Sequence, residues 1–356
     1  MISILLMSDI HFGVDTAAPY IDDSMRQITF NKICMLARQH TMFIIAGDLF
    51  HAHVIDTPVF SFIINSLQAL LDEGVKIIYV PGDAELTNND HPDRVLAIPS
   101  TVTFYDNRDD NHTLLEFGGE VIHCYGSKLL IADQLHGIGK EGLDGFHIGV
   151  FHVDLGDDNN TNYGMIPVKS LKSMPLDFYA LGHHHNFSMY KFKNRIVGAY
   201  PGSPEAVTPD EIGDRYVLSI TIENNEIHQI KRITVNSVKM EAVTIQCDTV
   251  HSQDELSTIL QRYNKSNIVL QCTLEGMRSF DATVISALCN KCAGLVINDH
   301  SKPSSQFICN RYKQELSLRG YFYSELHTKI TNESPHYLQE IIDDIENTCS
   351  LFKGEL

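Results

Sequence analysis

Short apolar runs in the first half of the chain end in residues that bind metals. ISILLMSDIHFG carries Asp9 and His11, FIIAGDLFH carries Asp48 and then His51, and VPGDAE carries Asp83. Further along, GVFHVD carries His152 and ALGHHHNF carries His183 and His185. Carboxylates and imidazoles together form a mixed oxygen and nitrogen donor set, which suits Mn, Fe or Zn better than Ca and excludes a thiolate site. Asp9 and His11, two apart on an extended chain, are expected to leave the same face, and His183 and His185 repeat that spacing. Each piece alone is ordinary. Asp-x-His is a common solvated loop pair, Gly-Asp a common turn, the histidine run a surface feature and His152 a satisfied histidine at the core edge. Their joint order and strand-end placement point to one metal site, because ligands of open α/β sheets gather outside the carboxyl ends of the strands.

The elements that must position these residues alternate strand and helix. ISILLMSD, TMFIIAGD, VKIIYVPGD, FHIGVFHVD and DFYALGHHH read as buried strands. Residues 22–39 carry Met25, Ile28, Ile33, Leu36 and Ala37 at helical spacing, and a second helix is expected from about Thr57 to Leu71. This alternation predicts an α/β domain. From 194 to 235 the pattern shifts to short strands with turns. After Lys239 come EAVTIQC, a helix SQDELSTILQRY opened by a Ser-x-x-Glu capping box, NIVLQCTLEG, ATVISALCNKC and GLVIND, a small α+β unit. The expected divisions are 1–237, 238–330 and a terminal segment 331–356. That segment carries Leu338, Ile341, Ile342 and Ile345 on one helical face, suited to docking on its own protein or on a partner helix.

Composition narrows the class. A hydrophobic fraction of 43% and a charged fraction of 20% are those of a globular protein, and no apolar run reaches the roughly 18 residues of a membrane span. MISILLMSDIHFG reads as a first buried strand rather than a signal peptide. The 8 cysteines sit mostly in apolar runs. The lone CNKC pair, Cys289 and Cys292, lacks two further ligands for zinc, which favours neutral thiols and a cytoplasmic protein. A net charge of −18 argues against an autonomous DNA clamp. It argues less against a DNA enzyme, because bound metals or a basic partner can supply the missing positive field.

The ordered set Asp-x-His, Gly-Asp, Gly-Asp, His and Gly-His-x-His resembles the calcineurin-like metallophosphoesterases, and GDLFH and YPGSP resemble their SbcD branch of DNA-break repair nuclease subunits. The resemblance spans residues 9 to about 204, and for the unit after 238 it is one of layout only. It implies an α/β sandwich of mixed β-sheets flanked by helices, with a smaller α+β capping domain. It implies two divalent metal ions, Mn first, with Asp9, His11, Asp48 and His185 at one and Asp48, Asp83, His152 and His183 at the other. It further implies DNA as substrate, an SbcC-like SMC-type ATPase partner docking on the terminal segment, and pairing of copies through helices such as 57–72. Packing of that helix on its own sheet explains its apolar residues equally well.

His51 matches the family position that places the substrate phosphate, the alternative being a histidine that hydrogen-bonds a metal ligand. VPGDAE departs from the family's Gly-Asn-His-Asp. Asp83 brings a charged ligand in place of a neutral one, Ala84 replaces an imidazole that assists at the leaving oxygen, and Glu85 replaces the acid that orients it. Loss of a positioned acid costs on the order of a hundred- to ten-thousand-fold in rate. Three outcomes stay open: slow metal-driven hydrolysis, rescue by another residue such as His91, or a catalytically silent scaffold. A small-nucleotide phosphodiesterase is the remaining alternative.

Overall fold

The computed structural model describes residues 1–14, 20–51, 57–86, 97–104, 112–127, 143–156, 165–168, 176–193 and 195–330. His91 and the terminal segment 331–356 lie outside the described residues. The chain divides into two compact units, Met1–Met240 and Glu241–Leu356.

In the first unit the chain order opens with β1 (Ile2–Met7), α1 (Asp23–Ala37), β2 (Met42–Ala46), α2 (Thr57–Asp72), β3 (Lys76–Val80), α3 (Asp83–Leu86) and β4 (Val102–Thr103). There follow β5 (His112–Phe117), β6 (Glu120–Ser127), β7 (Phe146–His152), β8 (Asp154–Gly156), β9 (Met165–Pro167) and β10 (Phe178–Gly182). The unit ends with β11 (Ser188–Phe192), β12 (Arg195–Tyr200), β13 (Tyr216–Glu223) and β14 (Glu226–Thr234). One six-stranded sheet has the order β14-β13-β1-β2-β3-β4 and the other β11-β12-β10-β7-β6-β5. Both are mixed. β1 to β4 run parallel, β13 runs antiparallel beside β1 and β14 turns back antiparallel to β13, and β6, β7, β10 and β12 run parallel with antiparallel edges. The class expected from the sequence, mixed sheets flanked by helices, is the class observed.

The central strands read as unbroken apolar runs because they are covered on both faces. Ile4, Leu6, Ile44 and Ile78 of the first sheet meet Ile122, Ile148, Val150 and Ala180 of the second in one buried layer. The opposite face of the first sheet presents Leu5, Phe43, Ile45 and Ile77 to Phe30, Ile33, Ile63 and Leu67 of α1 and α2. Full burial of one such side chain stabilises by about 1.5–3 kcal/mol, so these two layers dominate the fold. The second helix expected from the sequence is thus packed on its own sheet. In α1 the expected inward position Ile28 is 57% exposed, and Arg26 and Thr29 are buried instead. Arg26 donates from Nε to Ile10 O at 3.0 Å, from Nη1 to Ile21 O at 3.1 Å and from Nη2 to Ala206 O at 3.1 Å. Three carbonyls satisfy the buried guanidinium, and they outrank a methyl-rich side chain at this point in the helix.

The second unit is built on a three-stranded sheet of Lys239–Gln246 (its first two residues counted with the first unit), Ile268–Glu275 and Gly294–Asp299, with helices Gln253–Gln261, Val284–Leu288, Ser305–Tyr312 and Leu318–Ile330. Half of the expected capping box forms, since Ser252 Oγ accepts from Glu255 N at 3.2 Å, while Glu255 Oε2 accepts from His251 N at 2.8 Å, one residue before the cap. Cys289 packs in this unit's core and the Cys292 thiol lies 3.3 Å from Tyr263 O, so both are free. No helix among the described residues is long and apolar enough to cross a membrane.

Candidate metal centre

The candidate ligands all leave the carboxyl ends of parallel strands, where the two sheets meet. Asp9 and His11 follow β1, Asp48 follows β2, Asp83 follows β3, His152 ends β7, and His183 and His185 follow β10. The chain is not extended at these points, so the period-two expectation for Asp9 and His11 is corrected. Asp9 has φ 57°, His11 φ 54°, Asp48 φ 50° and His183 φ 106°, all in the left-handed region. Such conformations cost about 1–3 kcal/mol each and persist only where the surroundings enforce them. Here the loops after β1 and β2 are zipped together beyond the strands. Asp9 N donates to Gly47 O, His11 N to Asp48 O and Phe12 N to Leu49 O, each at 3.0 Å, and His51 N donates to Phe12 O at 2.9 Å.

His183 and His185 part company for the same reason. Candidate donor atoms form three groups, each within 4.8 Å: Asp9, His11 and His185; Asp83, His152 and His183; and Asp9, Asp48 and His152. Asp48 stands between the first two groups. Its Oδ2 lies 3.4 Å from His11 Nε2 and 3.4 Å from His152 Nε2. Its Oδ1 accepts from Ala84 N at 3.0 Å.

Outer partners aim the imidazoles. His152 Nδ1 donates to Ala46 O at 2.9 Å, which turns Nε2 toward Asp83 Oδ1 at 2.7 Å. His185 Nδ1 donates to Glu211 Oε1 at 2.7 Å, and Glu211 is itself held by Ser203, Thr208 and the Arg215 guanidinium. That bond leaves His185 Nε2 as a lone pair aimed at His11 Nε2, 3.1 Å away. Two imidazole nitrogens at this distance repel unless a proton or a cation lies between them. Together with three carboxylates, they form a donor set that fits divalent cations. His51 is exposed and its Nδ1 lies 3.0 Å from His11 Nδ1, a contact that orients His11. A side chain on Gly182 would overlap Ala46 O and His152 Nδ1, so the glycine before His183 is required by close approach.

Burial and charge pull the site's groups apart. Burial pushes the Asp9 carboxyl above its ordinary value, and burial holds His11 down at about 3. Burial also raises Asp48, but the neighbouring His152 outweighs it and leaves Asp48 low. Hydrogen bonds from His152 and His183 hold Asp83 low. His152 is raised, because Asp48 and Asp83 outweigh burial. Asp9 and His11 are buried and His185 half-buried, whereas the Asp83 side chain is 57% exposed, so the centre opens to solvent beside Asp83 and His183. Asp9, Asp48 and Asp83 without bound cations would repel a phosphate.

Glu85, expected only as the relic of a lost dyad, has a structural task. Its Oε1 accepts from Phe50 N at 2.9 Å and its Oε2 from Gly82 N at 2.7 Å, tying the loops after β2 and β3 together. Burial pushes this carboxyl up to about 7. Sequence reasoning missed Glu211, Arg215 and the pair His184–Asp154, whose Nε2 and Oδ1 are 2.7 Å apart. Only the histidine run itself hinted at His184, and nothing local marks Glu211.

No protein-family model matches the chain, and no curated protein does. Among solved structures it is similar to TT1561 of Thermus thermophilus, at 14% identity and a TM-score of 0.39, over 66% of this chain and 99% of that one. A hypothetical protein from the same organism gives 9%, 0.38, 66% and 99%. Haemophilus influenzae NAD nucleotidase (NadN) gives 13% and 0.38 over 82% of this chain, which spans 59% of that protein. Likeness at this level says nothing of activity. By its own architecture the first unit is a pair of six-stranded mixed sheets with helices on the outer face of the first.

Proposed function

We propose that the protein is a two-metal phosphodiester hydrolase acting on DNA, in the manner of an SbcD-type nuclease subunit with an ATPase partner. The observation that carries the metal reading is the placement of Asp48 Oδ2 at 3.4 Å from one imidazole of each ligand group. Asp9, His11 and His185 would hold one cation and Asp83, His152 and His183 the other, with Asp48 shared. Cations held there would supply the positive charge that a phosphodiester requires and would lower the pKa of bound water toward neutrality. Ala46 O and Glu211 fix His152 and His185 with Nε2 inward, and the Ala84 amide fixes Asp48 with Oδ2 inward. His51, exposed beside His11, would donate a hydrogen bond to a substrate phosphate oxygen.

One observation favours a second reading, a silent scaffold. Ala84 offers no proton at the leaving oxygen, and the Glu85 carboxylate is occupied by two backbone amides. The deciding experiment is Mn²⁺-dependent degradation of end-labelled single- and double-stranded DNA, wild type beside Asp48→Ala, with a small nucleotide diester assayed in parallel. Degradation that disappears in the variant supports the nuclease. Cleavage of the small diester alone moves the reading to a nucleotide phosphodiesterase, and metal binding with no cleavage moves it to the scaffold.

A further inference from the structure

β14 is one edge of the first sheet and β11 one edge of the second. Charge along these edges runs opposite to that of the chain. Residues 183–204 and 227–240 contain no Asp or Glu, in a sequence whose 45 acidic residues outnumber 27 Lys and Arg. Within them Lys191, Lys193, Arg195, His228, Lys231 and Arg232 are all exposed.

Register fixes where two of them face. Lys191 pairs with Ile196 and Arg232 with Leu218, and both apolar partners belong to the layer between the sheets. Paired residues of an antiparallel ladder leave the same face, so Lys191 and Arg232 enter the gap between the edge strands from opposite walls. Along the edge this gap widens into an open cleft of about 470 Å³, lined by Lys193, Arg195 and His228 with Glu226 as its one acidic residue. Arg195 is paired with Asp177 at 3.3 Å. Among the described residues, no carboxylate forms an ion pair with Lys191, Lys193, Lys231 or Arg232. Lys193 sits at the hairpin tip with φ 45°, a position that glycine or asparagine fills at less strain.

Aromatic rings line the same edge. The Arg232 guanidinium lies 4.6 Å from the Phe187 ring and 4.9 Å from the Tyr216 ring, and Phe192 is 41% exposed. Phe187 comes just after the candidate ligand His185. From Phe187 to Lys193 the strand covers about 20 Å at roughly 3.3 Å per residue, the length of several nucleotides. Spaced cations interleaved with rings are what a single strand requires: charge for repeating phosphates and faces for bases. A membrane surface would call for a broad apolar face, whereas five of the eight residues lining this cleft are polar or charged.

We propose that the cationic edge built by β11 and β14 binds the backbone of single-stranded nucleic acid and leads it to the metal centre. The second half of that statement rests on the phosphodiesterase reading; strand binding at the edge does not. The test is fluorescence anisotropy of a labelled single strand of about 20 nucleotides, longer than one site of this kind, with the full-length protein in a chelator. Wild type is compared with Lys191→Glu/Lys193→Glu and with the milder Lys191→Gln/Lys193→Gln. The expected result is affinity weakened tenfold or more, and a salt slope reduced by about 1.4, at roughly 0.7 for each phosphate no longer neutralised. Equal affinity and slope in glutamine variants that melt with the wild type overturns the proposal. Preference for anionic phosphatidylserine vesicles over the strand also overturns it. Hydrolysis of a small aryl diester by wild type and Asp48→Ala, measured separately with Mn²⁺, decides the metal-centre reading whatever the anisotropy shows.

Discussion

The backbone amide of Ala84 donates to Oδ1 of Asp48 at 3.0 Å. Position 84 therefore serves the candidate centre through its main chain, and its side chain can change without disturbing the bond that holds Asp48. This separates two roles that a histidine at this point would combine, support of a ligand and delivery of a proton.

Ala84→His should keep the amide bond and leave metal affinity unchanged while restoring a proton donor. With an alkoxide leaving group, which needs a proton, kcat should rise about a hundredfold or more. Steady-state hydrolysis of DNA or an alkyl diester checks this, and a flat kcat would mean that the missing imidazole does not limit turnover.

Glu211→Gln keeps the shape of the side chain but weakens the charge-assisted bond to His185 Nδ1. Outer partners of this kind are worth roughly 10- to 100-fold in metal affinity, so Mn²⁺ binding by titration calorimetry should weaken by that factor. Unchanged affinity and stoichiometry would remove His185 from the ligand set.

Arg26→Met fits an apolar chain into α1 but strips donors from the carbonyls of Ile10, Ile21 and Ala206. The expected destabilisation is about 3–5 kcal/mol in urea unfolding, since buried groups left unpaired cost about 1–3 kcal/mol each. A loss under about 1 kcal/mol, below that cost for even one carbonyl, would show that water replaces the guanidinium.

His40 provides a pH test away from the centre. Its ring joins Leu36 O at 2.8 Å and Ser219 Oγ at 2.8 Å, and burial holds its pKa below the ordinary 6.5 despite the bond to Leu36. The folded state thus prefers the neutral ring. Its stabilising contribution is present above pH 6.5 and is lost as pH falls through the lowered folded value. His40→Gln should melt with a flatter pH dependence than wild type between about pH 7 and 5, and parallel curves would contradict this.

The strands and most candidate ligands were legible because each strand is an apolar run stopped by Gly-Asp, Asp-x-His or Gly-His, local signals with local causes. What holds the ligands was not. Glu211 reaches His185 and Arg26 reaches Ala206 through contacts that only the folded chain creates. The Asp9–His11 spacing does mark a pair, but not through strand alternation. Bonds to Gly47 and Asp48 force left-handed turns there, so the side-chain rule of an extended chain does not apply. The apolar count along α1 likewise favoured Ile28 over Arg26, because a hydrophobic pattern cannot register three carbonyls awaiting a donor.

Each of the two main ligand groups draws from both sheets. Asp9, His11 and Asp83 come from the first, and His185, His152 and His183 from the second. A cation in either group is consequently a rivet through the sandwich, and the site cannot exist until residues as distant as Asp9 and His185 have been brought together. Metal uptake should then act as a late lock on folding. At about hundredfold excess over its dissociation constant, each ion would raise unfolding stability by about 2.7 kcal/mol. Chelation would be felt first as a loosening of one sheet against the other, before any strand is lost.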